Sequence, residues 1–465
     1  MKKCKILSFV LCLCFLFLSA CSSTISDPSK TGGEEGLSNG TNTSEKTSHL
    51  TLYAPPPLNS LFSSAVRDFE KQFPGVEVEL VEFGSLLEAQ SYTDFAVALQ
   101  NDLAAGKGPD VVVWSSEIPD INKTVQSDIF VDLNPYLESD SDFLMEDFVQ
   151  GVMDAGLFGD KRFFLPLAYE ASFLISTQEA MDEAGVHLSS ESTLEEWCDE
   201  LLSYQQRFQS SGSKFVDMEG AQNETVLLTY SAIQCIDYEN GEVLIRSDEF
   251  RKLMDMNRAL YNMSEETYSP DWLFSSITGD AVWAVRNGET LFTEASTYFA
   301  FVEDYSGLLE KDTPVYFPFP NVMGEGAVAE VSYSAAIPKH SENKDNAYEF
   351  IKILLSSRQQ SNEMNFMAVY PVRIQSLKSR VENYVDKLIR NFSSDEEGWI
   401  MFQEIPQDIL DQYISDVTSV TYVNKNASKL IDFVREAMRP YFTGDKSYES
   451  CLDELVNKLE LYVYE

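Results

Sequence analysis

After about residue 50 the chain alternates short apolar runs with amphipathic stretches. Apolar positions at three- and four-residue spacing predict helices in 62–73 and 92–103, and short apolar or alternating runs predict strands in 50–53, 76–80 and 109–114. The order strand, helix, strand, helix, strand predicts a parallel sheet that helices cover on both faces. Ligands of such sheets bind at the carboxyl ends of the strands.

The middle of the chain contains a long apolar run, 163–175, which is interrupted only by a few polar residues such as Glu170 and Ser172 and predicts one buried strand. Thr193-Leu194-Glu195-Glu196 is a capping box that predicts the start of a helix. Further helices are predicted at 250–260, 281–287, 347–354 and 451–459, and further strands at 290–292, 315–317 and 331–337. We therefore expect an α/β protein, and we find no internal repeat.

Size and charge exclude several classes of protein. The chain has 465 residues, of which 44% are hydrophobic and 23% charged, and its net charge is −41. These values exclude a mostly disordered chain and predict two or three compact units. The acidic balance argues against nucleic acid as a partner, since nucleic-acid surfaces are bound through Lys and Arg.

The first 20 residues have the pattern of an export signal, with three lysines before an apolar run that is too short to span a bilayer. Leu18-Ser19-Ala20-Cys21 resembles the lipobox of bacterial lipoproteins, which implies cleavage before Cys21 and a lipid on its thiol. The alternative is an ordinary soluble secretory signal. Residues 22–48 are polar and predict a flexible tether with a reach of about 30 Å. We expect a protein anchored by lipid at the outer face of the cell membrane.

The cysteines beyond the lipobox give no sign of a disulfide framework or a metal site. Cys198, Cys235 and Cys451 are far apart and have no Cys-x-x-Cys spacing or neighbouring histidine. Cys198 and Cys451 fall on apolar helical stripes, where a buried thiol is expected. We expect no metal and no cofactor.

Several motifs, in their order and spacing, carry a resemblance to a known family. They are Phe69-Glu70-Lys71-Gln72-Phe73-Pro74-Gly75-Val76, Leu103-Ala104-Ala105-Gly106-Lys107-Gly108-Pro109-Asp110-Val111-Val112, Ala335-Ala336-Ile337 with Ser341, Ala347, Phe350 and Ile351, and Tyr370-Pro371-Val372-Arg373. Together they resemble the family 1 extracellular solute-binding proteins, the maltose-binding-protein-like group that includes sugar receptors of bacterial ABC importers. The likeness covers nearly everything after residue 49.

The resemblance implies an α/β, two-lobed periplasmic-binding-protein-like fold with crossing hinge strands and a ligand cleft between the lobes. By analogy the first lobe takes 49–167 and 297–330, and the second takes 168–296 and 331–465. It implies a monomer that closes on a small solute, delivers it to ABC transporter permease subunits and catalyses no reaction.

Two regions of the sequence suggest ligand contacts. Trp114 and Glu117 follow the third predicted strand, and Glu170 is a lone acid in an apolar run, which needs a partner or an opening to the cleft. The alternatives are a core tryptophan, a solvated Glu117 and a structural ion pair for Glu170. The resemblance adds Tyr298 as an aromatic platform, and Tyr422, in a polar loop before a predicted helix that starts near Ser428, is a further candidate.

Aromatic faces beside carboxylates suit a mono- or oligosaccharide, because rings pack on C–H faces and ionised oxygens accept hydroxyl protons. One alternative is the same fold with a cationic solute such as a polyamine. Another is a surface-tethered glycoside hydrolase, since paired carboxylates can cleave glycosidic bonds. Against hydrolysis in general, the three histidines are scattered and no Gly-x-Ser-x-Gly or His-Glu-x-x-His motif occurs.

We predict that Cys21→Ala abolishes stable membrane attachment and leaves the folded domain intact, because the signal run is too short to span and the remaining chain is acidic. Fractionation after a high-salt wash measures this, with the wild type as the control. Full retention of the variant in the membrane fraction would contradict the lipid anchor.

Overall fold

The structure is a computed structural model that describes residues 48–464 except 57, 59–61, 85–88, 116, 119, 209–210, 218–224, 264–279, 320, 322–325, 366–368 and 393–400. The predicted signal peptide, Cys21 and the predicted tether up to residue 47 lie outside the described residues. The first described element is a strand that begins at Ser48.

The elements alternate along the chain as an α/β protein requires. The strands are β1 (Ser48–Tyr53), β2 (Val76–Val81), β3 (Val111–Trp114), β4 (Leu157–Phe158), β5 (Lys161–Arg162), β6 (Leu165–Ala171), β7 (Phe173–Thr177), β8 (Lys214–Asp217), β9 (Ile236–Asp237), β10 (Glu242–Val243), β11 (Thr290–Ala295), β12 (Pro314–Pro318), β13 (Val328–Ala336), β14 (Tyr370–Pro371) and β15 (Tyr422–Val423). The helices are α1 (Ser63–Gln72), α2 (Ala89–Ala104), α3 (Ile121–Gln126), α4 (Asn134–Ser139), α5 (Gln150–Met153), α6 (Gln178–Ala184), α7 (Leu194–Phe208), α8 (Val226–Tyr230), α9 (Asp248–Met263), α10 (Asp280–Arg286), α11 (Tyr298–Leu308), α12 (Lys344–Leu354), α13 (Ser357–Gln360), α14 (Ile374–Phe392), α15 (Gln407–Thr418), α16 (Ser428–Phe442) and α17 (Tyr448–Tyr464). Within the described ranges, no helix is both long and apolar enough to cross a bilayer.

The larger sheet begins with the parallel arrangement that the sequence predicts. β1 pairs in parallel with β2 along its whole length and with β3 through Leu52↔Val111. In the part of the chain that the structure describes, this sheet has seven strands in the order β14-β6-β13-β3-β1-β2, with β15 beside β13. β13 runs antiparallel to both β3 and β6. A strand from the second half of the chain therefore separates two strands from the first half.

The apolar run 163–175 forms two strands, so the prediction of one continuous strand is wrong. β6 ends at Ala171, β7 begins at Phe173, and the two strands belong to different sheets. Ser172 between them is buried, and its hydroxyl donates a 2.6 Å hydrogen bond to Glu294 Oε1. The chain passes at Ser172 into a second sheet, whose strands are described in the order β12-β7-β11-β8. Apolarity alone does not separate one buried strand from two consecutive ones.

Sheet membership differs from the predicted lobe boundaries at two strands. The prediction places 297–330 in the first lobe and 331–465 in the second. β12, inside 297–330, pairs with β7 in the second sheet, whereas β13, which continues beyond 330, pairs with β3 in the larger sheet. The antiparallel pairing of β13 with β3 and β6 returns the chain to the larger sheet. The lobe boundaries themselves stay a prediction.

Buried side chains of the described residues form several clusters, of which the first includes residues from both sheets. In the first, Phe69 of α1 contacts Phe350 of α12 edge to face, with ring centroids 5.6 Å apart. In the second, Trp197 of α7 packs on Phe292 of β11. The inward positions predicted for three helices are confirmed as buried: Phe250, Leu253, Met254 and Leu260; Ala347, Phe350, Ile351 and Leu354; Cys451, Leu452, Leu455 and Leu459.

Local sequence signals at helix α7 are also confirmed. The backbone N–H of Thr193 donates to Glu196 Oε2 at 2.8 Å, and the N–H of Glu196 donates to Thr193 Oγ1 at 3.3 Å. This reciprocal pair is the predicted capping box, which satisfies two N–H groups at the helix start.

The three described cysteines are free thiols. Cys235 and Cys451 are buried, and Cys198 is partly buried. Burial raises the pKa of the Cys235 thiol to about 12, so this thiol is protonated at neutral pH.

Asp110 ties together three segments that are distant in sequence. Its carboxylate accepts hydrogen bonds from the Thr51 N–H at 2.9 Å and from Ser341 Oγ at 2.6 Å. Asn343 Nδ2 also donates to it at 3.2 Å. Asp110 is 9% exposed, so these bonds form almost without water. The Gly-Pro-Asp motif and Ser341 thus serve one contact that joins β1, β3 and the start of α12.

We predict that Asp110→Ala lowers the free energy of unfolding by about 2 to 4 kcal/mol, because it leaves several buried donors without an acceptor. Urea unfolding followed by tryptophan fluorescence measures the change. Asp453→Ala is the control, since Asp453 is an exposed acid on helix α17 that pairs with Arg246, and its loss should change stability little. If the two variants unfold at the same urea concentration, the stabilising role of the Asp110 hydrogen bonds is contradicted.

Candidate functional site

A cavity with a volume of about 410 Å³ lies at the carboxyl end of β3. Its size is in the range of small-molecule sites, about 300 to 1,000 Å³. Aromatic, amide, hydroxyl and ionisable side chains all reach its wall. They include Trp114, Phe158, Phe164 and Tyr333; Asn122, Asn424 and Asn426; Ser115, Ser332, Ser334 and Ser428; and Glu170, Glu330 and Lys425.

Trp114 lines the cavity from the end of β3, but most of its ring belongs to the core. Its side chain is only 4% exposed. It stacks on Phe130, with centroids 5.7 Å apart and planes 4° apart, and Phe164 meets it edge-on at 5.4 Å. The two interpretations of the sequence, a cleft residue and a core residue, thus both describe part of this tryptophan.

Glu170 and Glu330 stand directly opposite each other on the antiparallel strands β6 and β13. The pairing is irregular next to them: Val331 pairs with Tyr169 and Tyr333 with Ala168, so Ser332 is an extra residue on β13. Ser332 Oγ donates to Glu170 Oε1 at 3.1 Å. Bulges of this kind redirect side chains beside functional sites. Here the bulge brings a hydroxyl to one member of a carboxylate pair.

The surroundings of this pair favour its neutral form. Burial raises the pKa of the Glu170 carboxyl, and the Ser332 hydrogen bond opposes that shift. Burial, followed by the charges of Glu170 and Glu294, raises the pKa of the Glu330 carboxyl to about 7. Glu330 keeps contact with water in the cavity, although protein surrounds it on its other sides. The pair therefore carries a proton near neutral pH.

A loop after β15 supplies the opposite wall. The Asn424 N–H donates to the Ala329 carbonyl at 2.9 Å, which fixes the loop to β13. Asn426 Oδ1 accepts from the Cys235 N–H at 3.0 Å. Between these two anchors, Lys425 Nζ lies 5.9 Å from the Phe158 ring centroid. Burial lowers the pKa of Lys425, and the charge of Asp154 opposes that shift.

Next to the cavity, Asp120 connects α3 to the C-terminal helix. It caps α3 by accepting from the Asn122 N–H at 2.9 Å. Its other oxygen accepts from Tyr238 Oη at 2.8 Å and from Tyr462 Oη at 2.6 Å. Asp120 therefore joins three separate parts of the chain beside the lining residue Asn122.

Glu117, a predicted ligand contact, is engaged locally. It is 9% exposed, and its Oε2 accepts from the Ser115 N–H at 2.6 Å. Burial raises the pKa of its carboxyl, and the Ser115 bond lowers it. Glu117 does not line the described cavity, whereas its neighbours Ser115 and Ile118 do.

The structure does not bring Tyr298 or Tyr422 to the described wall of the cavity. Tyr298 is the first residue of α11 and is fully buried against Phe299, Tyr370 and Tyr384, so its ring offers no face to a ligand. Tyr422 begins β15 one residue before the lining residue Val423. Of the five predicted contacts, Trp114 and Glu170 lie together at the cavity.

Two charged residues of the cavity, Glu330 and Lys425, are missing from the sequence prediction. Glu330 could have been found only from its register opposite Glu170, which requires the pairing of strands 160 residues apart. Lys425 lies in a polar stretch that gives no periodic signal. Among the described residues, no group of three or more acids, histidines or cysteines is placed to hold a metal ion.

Comparison with protein families gives a match to a family model. The model described as "Bacterial extracellular solute-binding protein" matches residues 55–361. This range covers most of the chain and includes β3, β6 and β13.

Comparison with solved structures gives the same fold. The sugar-binding protein MalE from Xanthomonas citri is similar with a TM-score of 0.65 and 16% identity, over 90% of this chain and 98% of that chain. An ABC substrate-binding protein from Listeria monocytogenes in complex with cycloalternan has a TM-score of 0.56 and 15% identity, over 90% of this chain and 99% of that chain. Maltose-bound MalE3 from T. maritima has a TM-score of 0.53 and 16% identity, over 89% of this chain and 99% of that chain. The predicted two-lobed fold of periplasmic binding proteins is thereby confirmed.

We predict that Glu330→Gln changes how stability depends on pH. The pKa of Glu330 is raised from 4.5 to about 7 in the folded protein. Between these values the native state holds a proton that the unfolded chain has released, so this group's contribution to stability falls as pH rises. The variant should therefore gain melting temperature relative to wild type from pH 5 to pH 8.

Glu79→Gln, an exposed substitution on β2, is the control and should run parallel to wild type. Scanning calorimetry at several pH values measures the difference. If the melting temperatures of wild type and Glu330→Gln change in parallel with pH, the raised pKa of the Glu330 carboxyl is ruled out.

Proposed function

The chain belongs to the bacterial extracellular solute-binding proteins, and on that basis we propose that it captures a mono- or oligosaccharide and delivers it to an ABC importer. The observation that carries the proposal is the cavity, where aromatic rings and carboxylates share one wall. Apolar ring faces pack against the C–H face of a sugar, and carboxylates accept its hydroxyl protons. The saccharides named for the solved relatives support the same choice.

The ligand is bound and released without chemical change. Glu170 and Glu330 point from neighbouring strands of one sheet, where the directly opposed residues share a side. Cleavage of a glycosidic bond needs an acid and a second carboxylate on either side of that bond. A same-side pair instead suits recognition of one group of the ligand.

Ligand capture proceeds by closure of the two lobes. β6 lines the cavity and β7 continues into the second sheet, so rotation about Ser172 would move one sheet relative to the other. A ligand shifts this equilibrium only if it binds the closed state more tightly than the open one. The chain acts as a monomer, without cofactor, and presents the closed form to the permease subunits.

Lipid on Cys21 holds the protein at the outer face of the cell membrane. The polar stretch after Cys21 supports this, because a coil of that length has a reach of about 30 Å and lets the domain approach the importer.

We predict that a saccharide at one hundred times its dissociation constant stabilises the protein by about 2.7 kcal/mol, because it binds only the native state. A thermal-shift screen of neutral and amine-bearing mono- and oligosaccharides measures this. Solution scattering of the saturated protein should show compaction, and chromatography should recover the saccharide unchanged.

Spermidine is the comparison ligand. A polyamine drawn by exposed carboxylates binds more weakly as salt screens the charges, whereas hydroxyl contacts change little. The saccharide proposal fails if no saccharide shifts the melting temperature while spermidine gives a large, salt-sensitive shift.

A further inference from the structure

Resting on the proposed function, we propose that the cavity selects a saccharide that carries one protonated amine, and that Glu330 together with Glu170 recognises this amine. The inference names the substrate class of the same cavity and assigns Glu330 as its specificity-determining residue. It stands on the geometry of the carboxylate pair and on the charges around it.

The pair is held in place by the backbone. Glu170↔Glu330 is a cross-strand pair next to the last pair of the β6–β13 pairing, Ala171↔Ala329, and directly opposed residues have Cβ atoms about 4.5 to 5.5 Å apart. Like charges directly opposite each other destabilise a sheet. Both side chains reach the cavity, so a ligand can touch both at once.

The described protein supplies no cation to this pair. Ser332 Oγ donates to Glu170, and Glu330 has no hydrogen bond or ion pair among the described residues. Lys425, the lining cation, lies over the Phe158 ring and is influenced by the charge of Asp154. The two carboxylates therefore face the cavity, and the Ser332 hydroxyl on Glu170 is the hydrogen-bond donor that the described side chains give them.

The other titratable groups near the pair are negatively charged or neutral, so they supply no positive charge to it. Glu294 of β11 raises the pKa of Glu330 through its charge, and Tyr370 of β14 and Tyr333 of β13 lie near Glu170. Both tyrosine hydroxyls are neutral at pH 7, because burial raises their pKa values above 10. A proton or a cationic ligand is thus the available counter-charge.

A protonated amine satisfies the pair better than a neutral hydroxyl does. It donates up to three hydrogen bonds and neutralises a charge, and such charge-assisted bonds are about twice as strong as neutral ones. When the amine binds, the proton that the pair holds near neutral pH is released to solvent. Binding is therefore coupled to pH through the pair.

Lys425 limits the ligand to one cationic group. Its ammonium lines the same cavity, so a second cation, as in a polyamine, would meet a like charge there. Hydroxyl groups accept from an ammonium without penalty. The ligand that fits both ends of the cavity has one amine beside Glu330 and hydroxyl groups towards Lys425, which is the chemistry of an amino sugar.

Titration calorimetry at pH 7.5 tests the inference with D-glucosamine and 2-amino-2-deoxycellobiose, each of which carries one amine, against D-glucose and cellobiose. We expect each amine to bind at least tenfold tighter than its neutral counterpart, which corresponds to about 1.4 kcal/mol. Titrations in two buffers of different protonation enthalpy should show proton release with the amines only. In wild type the preference should shrink at pH 5.5, where the pair is protonated.

Glu330→Gln should bring amine and neutral sugar to the same affinity, and the control Glu79→Gln should keep the wild-type preference. Equal or tighter binding of the neutral sugars by wild type overturns the inference and leaves the saccharide function standing. The inference is also overturned, with the saccharide function left standing, if the preference for the amine is the same in Glu330→Gln as in wild type or the same at pH 5.5 as at pH 7.5. Absence of binding by all four saccharides overturns the inference, and the broad saccharide screen then decides the proposed function separately.

Discussion

The register of β13 between β3 and β6 is the constraint on which the cavity depends. On one edge Ser334 pairs with Trp114, and on the other Glu330 pairs with Glu170. A slip of one residue would turn every side chain of β13 to the opposite face of the sheet. The bulge at Ser332 places one hydroxyl beside Glu170, and a second shift between Tyr333 and Ser334 restores the alignment with an extra residue, Leu167, on β6. Aromatic wall, carboxylate pair and hydroxyl are therefore consequences of one strand's alignment.

Features set by nearby residues could be predicted from the sequence. The parallel β1, β2 and β3, the capping box at Thr193 and the buried faces of α9, α12 and α17 all follow from periodicity and short-range signals. The motif around Asp110 and the later Ser341 also pointed to the family. The structure adds the reason that these motifs occur together, since Ser341 donates directly to the Asp110 carboxylate.

Features set by long-range pairing could not be predicted in the same way. The run 163–175 is mostly apolar, and its few polar residues do not show that one strand ends at Ala171 and another begins at Phe173, because that boundary is set by pairing with different sheets. Tyr298 follows β11 closely, yet α11 turns its ring into the core instead of the cavity. Glu330 is invisible to local patterns because its neighbour Glu170 lies 160 residues earlier. In each case a partner distant in sequence decides where the side chain lies.

Net charge is a poor guide to the ligand, because acids of the same type behave differently at different places. Asp128 is exposed, and its bond to Lys339 lowers the pKa of its carboxyl. Glu330 faces a cavity beside other acids, and its surroundings raise the pKa of its carboxyl to about 7. A net charge of −41 counts both kinds alike, although exposed charges are screened by salt and interact weakly. We propose that recognition depends instead on Glu170 and Glu330, which the β6–β13 pairing sets opposite each other at the cavity without a cation among the described residues. Such a pair gains more from a ligand that supplies a positive charge than a solvated carboxylate does.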